Sequence, residues 1–180
     1  VYGDSDINLG LTTEGESAVT YTTTDNSVAT AADGKLHIVG AGDAKISLSM
    51  AESTNYLSEN AEIKVTVHPA PLTITAEDKT TDYGTDAPAF TVKYDGFCNG
   101  DKADKEGVFT GTLDFDCTYQ KGDATNGNVG EYDITPKGLA AKNYEITYVT
   151  GTLTVTKVAS NISIESVAAK TYGDAAFDLT

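Results

Sequence analysis

A Tyr-Gly step occurs three times along the chain: in VYGDSDINLG at Tyr2-Gly3-Asp4, in DYGTDAPAF at Tyr83-Gly84, and in KTYGDAAFDLT at Tyr172-Gly173-Asp174. The copies are about eighty to ninety residues apart, far beyond the periods of solenoids and close to the size of one small β-domain. A second phrase keeps the same beat, since Asn55-Tyr56 and Asn143-Tyr144 each stand shortly before a strongly alternating segment. The chain is therefore expected to be a tandem array: a first unit at 1–69, a second at 70–157, and at 158–180 the first strand and Tyr-Gly turn of a third, incomplete unit. Leu72-Thr73-Ile74-Thr75 precedes the second copy and Ile162 to Val167 precedes the third, but nothing equivalent precedes Tyr2. The first unit is thus expected to lack its first strand, and the whole to be a piece of a longer array.

Side-chain alternation then sets the fold class. AVTYTTT, KLHIV, AKISLSM and EIKVTVH in the first unit, and LTITAED, AFTVKY, GTLDFDCTY, EYDIT, YEITYV and TLTVTK in the second, place apolar residues at every second position, the period of a strand with one wet face. Clusters of Asn, Asp, Gly and Ser separate them as turns. An all-β chain of tandem small β-domains follows. NGDKADKEG departs from this rule: Asp101 can cap and Gly107 can close one short helix near 101–107. Between the units, His68-Pro69-Ala70-Pro71 leaves little slack, because each proline fixes φ and biases its neighbour towards extended backbone.

Two family resemblances attach to these residues. VTYTTTDNSVATAADGKLHIVGAGDAKISLSM, with its Ser-Val-Ala-Thr, Gly-Lys-Leu and Gly-Ala-Gly-Asp-Ala steps, resembles bacterial immunoglobulin-like repeats of group 2. LTITAEDKTTDYGTDAPAFTVKYDGFCNGDKADKEGVFTGTLDFD, continued by VGEYDITPKGLAAKNYEITYVTGTLTVT, resembles the mostly-β, glycine-rich MBG repeat of bacterial surface proteins. The resemblance implies that the first unit is an Ig-like β-sandwich and the second a mostly-β unit, sandwich or β-grasp-like, as tandem modules of a large secreted or cell-wall attached protein of the adhesin type, with an extracellular location and no active-site motif.

Charge and motif content point the same way. With Lys+Arg 12 against Asp+Glu 27 the net charge is −15, which repels nucleic acid. No apolar run reaches the ~18 residues of a membrane span, so any export signal or anchor is expected elsewhere. No G-x-S-x-G, H-E-x-x-H or G-x-x-x-x-G-K-[ST] step is present, and the two histidines, His37 and His68, fall in separate strands. They are better read as surface residues than as half of a metal site. Gly40-Ala41-Gly42 has no helix pattern after it and is expected to be a turn between strands, not a phosphate loop. The acids Asp4 and Asp6, Asp114 and Asp116, and Asp101 with Asp104 and Glu106 offer oxygen ligands for weak calcium binding, though none has EF-hand spacing. A solvated face is the plainer account, and no catalytic residue, cofactor or metal is assigned. An isopeptide crosslink would need a buried lysine, for which Lys64 or Lys142 are the nominees.

Cys98 and Cys117 would close a loop of about twenty residues as a disulfide, restricting the unfolded chain by roughly 3 kcal/mol, with two free thiols as the other reading. The recurrence of Tyr2, Tyr83 and Tyr172, and of Tyr56 and Tyr144, is expected to mark rings packed at domain edges with wet hydroxyls. Two functions remain open: a non-catalytic spacer or stalk that holds other domains away from the surface, or an adhesin module that recognises a host glycan or protein. The absence of Trp among ten Tyr and five Phe weighs against a sugar-stacking platform. Expected partners are neighbouring repeats, together with head-to-tail strand exchange through 161–180 onto the open edge of another chain's first unit.

Overall fold

A computed structural model describes residues 1–163 and 171–173. The first part holds strands Ile7–Asn8 (β1), Val19–Thr23 (β2), Ala29–Ala32 (β3), Lys35–Ile38 (β4), Gly42–Met50 (β5) and Glu59–Val67 (β6), of which the alternation predicts β2, β4, β5 and β6 but not β1 or β3. Ala70–Ala76 (β7), Lys79–Asp82 (β8), Val92–Asp95 (β9), Thr110–Asp116 (β10), Gly130–Ala140 (β11), Tyr144–Val149 (β12) and Gly151–Thr156 (β13) follow. Strands β1–β6 pair only among themselves and β7–β13 only among themselves; the two sets are the first and second units below. The described residues contain no helix, and so none long and apolar enough to cross a membrane.

In the first unit, two antiparallel three-stranded sheets, ordered β1-β4-β3 and β2-β5-β6, contribute alternate side chains to one core. Ala44, Ile46 and Leu48 of β5 and Leu36 and Ile38 of β4 are buried, while the residues between them face water, as a two-residue period requires. β3 turns into β4 through Asp33-Gly34, both at positive φ (49° and 72°), the backbone that a tight two-residue hairpin needs. Gly40-Ala41-Gly42 connects β4 to β5 as a turn.

The second unit has a four-stranded sheet ordered β10-β11-β13-β8 and a three-stranded sheet ordered β12-β7-β9. β12 lies parallel to β7, from Tyr144↔Ala70 to Val149↔Thr75, and β13 lies parallel to β8, from Leu153↔Lys79 to Thr156↔Asp82. Two long extended stretches, 70–82 and 144–156, therefore run side by side and cross together from one sheet into the other. At the crossing the backbones nearly touch: a Cβ on Gly151 would meet the Ala76 carbonyl oxygen at 2.5 Å, so only glycine fits. Ala70 and Tyr144 mark one end of the unit, and Asp82 and Thr156 the other, with roughly 40 Å of extended chain between them.

Buried residues form two clusters. Ala76, Tyr119, Ile134, Leu153 and Val155 make the smaller one, inside the second unit. The larger runs across the unit boundary, joining Val28, Leu36, Ile46 and Val67 of the first unit to Ala70, Leu72, Ile74, Val108 and Tyr144 of the second, with Tyr2 among them.

Two sequence expectations are corrected here. Residues 101–107 form successive turns, not a helix: Lys105 N–H reaches Lys102 O at 3.2 Å and Val108 N–H reaches Lys105 O at 3.3 Å. The reason is that the Asp101 carboxylate, expected to cap a helix, is occupied by partners distant in sequence. Without a helix, the second unit is a two-sheet fold and not β-grasp-like. Nor is there a Cys98–Cys117 disulfide; both are free thiols, Cys98 packed against the larger cluster and Cys117 against the smaller. The third copy's strand and the exchange through 161–180 rest largely on residues 164–170 and 174–180, which lie outside the described residues.

Candidate functional site

The junction between the units begins with the Tyr2-Gly3 turn. Asp4 N–H closes it on Val1 O at 3.1 Å, with Gly3 at φ 91°, a conformation that side chains other than glycine's disfavour. Tyr2 N–H donates to His68 O at 2.9 Å, which seats the turn where β6 ends and Pro69 leads into the second unit. From this seat the Tyr2 ring enters the second unit and is only 6% exposed. Its centroid is 5.5 Å from that of Tyr144, edge to face, and Tyr144 in turn stands 5.6 Å from Phe97. Tyr94 and Phe109 extend the ring cluster.

Asp101 receives this ring's hydroxyl. It is presented by the turn Cys98-Asn99-Gly100-Asp101, closed by Asp101 N–H to Cys98 O at 2.9 Å, with Asn99 and Gly100 at φ 52° and 72°, positions suited to Asn and Gly. Tyr2 donates to Asp101 Oδ2 at 2.9 Å and Tyr144 donates to the same oxygen at 2.8 Å, while Lys105 Nζ donates to Oδ1 at 2.5 Å. Cys98 N–H donates to the Tyr144 hydroxyl at 3.1 Å. Asp101 is the buried charged residue among those described. Its burial alone would raise the carboxyl, but hydrogen bonds from Lys105, Tyr144 and Tyr2 outweigh that and hold it below the usual carboxylate range. Burial pushes the Tyr2 and Tyr144 phenols up, so carboxylate acceptor and phenol donors persist together around neutral pH.

A second contact also joins the units. Asn143 accepts Ala70 N–H on its carbonyl at 2.9 Å and Ala41 N–H, from the first unit, on its side-chain oxygen at 2.9 Å. The Gly40-Ala41-Gly42 turn thus lies against the second unit, so close that a Cβ on Gly40 would be 3.1 Å from Asn143 Oδ1. Gly3 is closer still to its neighbour: a Cβ there would be 2.6 Å from Cys98 Sγ. Every donor and acceptor named here is matched by a partner.

Other residues singled out in the sequence are dispersed. His37 Nδ1 lies 2.7 Å from Asp6 Oδ1 on the surface, whereas His68 contributes its carbonyl to Tyr2. Asp4 is exposed beside the Tyr2-Gly3 turn, and Asp114 and Asp116 flank Lys137 on the wet side of β10. Asp104 and Glu106 are exposed while Asp101 is buried. Among the described residues no group of three or more His, Cys, Asp or Glu is placed to hold a metal ion. Lys64 and Lys142 are exposed, which is incompatible with the buried lysine of an isopeptide bond.

The wet hydroxyl expected of Tyr2 is corrected, since it is bonded to a buried carboxylate. Tyr144 is buried, whereas Tyr56, Tyr83 and Tyr172 are exposed. Sequence reasoning missed the contact of Asn143 with Ala41 and the inward role of Asp101; the available signal was the Asn99-Gly100 step, which favours a tight turn, directly before Asp101. Residues 72–154, nearly the whole second unit, match the MBG domain (YGX type) family, and the Tyr83-Gly84-Thr85 step lies inside the match. No curated protein matches the chain.

Proposed function

We propose that the chain is part of an extracellular stalk: a non-catalytic run of repeats in a bacterial surface or secreted protein, whose work is to hold other domains at a distance. The MBG match supports a surface repeat module, and the group-2 immunoglobulin-like resemblance of the first unit fits the same setting. The observation that carries the stalk reading is the junction. β6 ends at Val67 and β7 starts at Ala70, and across those two intervening residues Tyr2, Asp101, Tyr144 and Asn143 fasten one unit to the next. Domains that merely share a chain move relative to one another unless their interface is extensive, whereas a buried, hydrogen-bonded ring and carboxylate hold a single orientation.

The adhesin alternative calls for a recognition surface. An apolar recess lined by Leu11, Val19, Leu48 and Met50 holds about 200 Å³ and a polar hollow lined by Thr75, Glu77, Lys79 and Lys93 about 520 Å³, and neither is lined by the aromatic rings that stack on sugars. Backbone ¹⁵N relaxation tests the stalk: both units should report one rotational diffusion tensor. Independent tumbling of the two units, or specific and saturable binding in a glycan-array and host-matrix screen, would refute the reading.

A further inference from the structure

The Tyr83 turn is the Tyr2 turn repeated at the far end of the second unit. Thr85 N–H closes on Asp82 O at 3.1 Å, as Asp4 N–H closes on Val1 O at 3.1 Å. Gly84 stands at φ 81° where Gly3 stands at 91°. Tyr83 N–H donates to Thr156 O at 2.9 Å, at the end of β13, as Tyr2 N–H donates to His68 O at 2.9 Å, just past β6. Each turn thus sits where its unit's closing strand hands the chain on to the next unit. The surroundings alone differ. Tyr2 is 6% exposed and Tyr83 48%; a Cβ on Gly3 would collide with Cys98, whereas one on Gly84 would meet nothing within 4 Å. The exposed turn is nonetheless braced, because Tyr119 donates its hydroxyl to Thr85 O at 2.6 Å.

We propose that Tyr83 is a plug for the unit that follows Lys157 in the array, and that the following unit receives it in a socket like the one around Tyr2. The socket's chemistry is specified by its occupant here: a buried carboxylate to accept the phenol proton, a second tyrosine edge-on to the ring, and a small side chain in the place of Cys98 against the glycine. The chain from Val158 onward carries the third Tyr-Gly-Asp step, and a position matching Asp101 would fall beyond Thr180. A second copy of this chain is the poorer partner, because its own socket is filled by its own Tyr2. Since plug and socket lie at opposite ends of the parallel stretch from Ala70 to Asp82, the contact is heterologous and propagates along the chain without closing on itself. The inference rests on the stalk reading for its partner, but the two fail separately, since the relaxation measurement concerns the Tyr2 joint alone.

The test is a lengthened chain in which residues 70–157 are repeated directly after Lys157 in place of 158–180, with Tyr83→Phe in the appended copy so that nitration reads the original Tyr83 alone. Tetranitromethane nitration, mapped by mass spectrometry, reads the accessibility of each tyrosine. In the parent chain Tyr83 should nitrate readily and Tyr2 should not. In the lengthened chain nitration of Tyr83 should fall at least tenfold, and Asp101→Asn made in the appended copy alone should restore part of it. Tyr83 reacting at the parent rate while Tyr2 stays protected would overturn the proposal and leave Tyr83 free for some other ligand. An appended copy that fails to fold would count against it equally, because the proposal makes this end of the second unit the seat for such a copy.

Discussion

Replacing Tyr2 separates the hydroxyl's contribution to the joint from that of the ring. Tyr2→Phe keeps the ring against Tyr144 but removes one donor from a buried carboxylate that retains Tyr144 and Lys105. Hydrogen bonds to charged groups are worth about 1.5–3 kcal/mol. Tyr2→Ala removes the ring as well, and truncating a buried aromatic costs about 3–5 kcal/mol. If the units melt as one block of this size, each kcal/mol lowers Tm by about 2–4 °C, so Tyr2→Phe should cost about 3–12 °C in one calorimetric transition. Tyr2→Ala should do something different in kind. With the joint emptied, the first and second units should melt in two separate transitions. Scanning calorimetry of the three proteins at neutral pH decides the matter. A Tyr2→Ala protein that melts in one transition within about 1 °C of the parent would refute the coupling argument outright.

Acid should weaken the joint through Asp101. Its carboxyl lies below the ordinary range in the folded chain, so its contribution is complete above the unfolded value of about 3.9 and is lost as pH falls through the lower folded value. Asp25, Glu77 and Asp123 are also held low by local hydrogen bonds, so the informative quantity is the difference between parent and Asp101→Asn in denaturant titrations, which should narrow from pH 5 towards pH 2. A difference that widened over that range would contradict the assignment. Gly3→Ala should destabilise by more than about 1 kcal/mol, from its left-handed backbone and from contact with Cys98, whereas Gly84→Ala should register the backbone effect alone; chemical denaturation compares them. Unreduced, denatured protein should titrate two thiols with Ellman's reagent, as two free cysteines require. Deleting 158–180 should leave the single melting transition of the joined units unchanged and, on the strand-exchange proposal, abolish concentration-dependent sedimentation.

What the sequence disclosed, and what it withheld, follows from range. Strands such as β5 and β7 announce themselves because each alternate side chain meets the same core, and a period of two is visible within any seven residues. Repetition of Tyr-Gly located the turns correctly, because a glycine at positive φ leaves a local mark. The partner of that tyrosine left none. Tyr2 and Asp101 are 99 residues apart, and neither alternation nor turn chemistry reports a contact at that distance. Asp101 was misread for the same reason: Asp-Lys-Ala-Asp-Lys looks like a capped, charged helical turn when its acid is assumed to face water. The cysteines are close in sequence yet belong to different clusters, which spacing alone does not reveal.

A carboxylate is at first sight a poor choice for the centre of a joint, since burying charge usually costs more than a well-packed apolar contact of equal volume. What it adds is direction. An apolar ring against an apolar wall is nearly indifferent to rotation of one unit about the chain axis, whereas Tyr2 must aim its hydroxyl at Asp101 Oδ2 at 2.9 Å, an oxygen that Tyr144 holds in place from within the second unit at 2.8 Å, and rotation would break the bond to Tyr2. Asn143 adds a second fixed point away from the axis through Ala41, and two points together with the prolines of the linker leave little rotational freedom. The cost of burial is moderated by Lys105, whose amine stays half in water while neutralising the other carboxylate oxygen. Rigidity at one joint matters most when the joint recurs, because angular freedom accumulates from unit to unit along a chain. A plug at one end of each unit and a socket at the other, set by the parallel course of 70–82 and 144–156, is the arrangement in which one well-defined contact suffices for an array of any length.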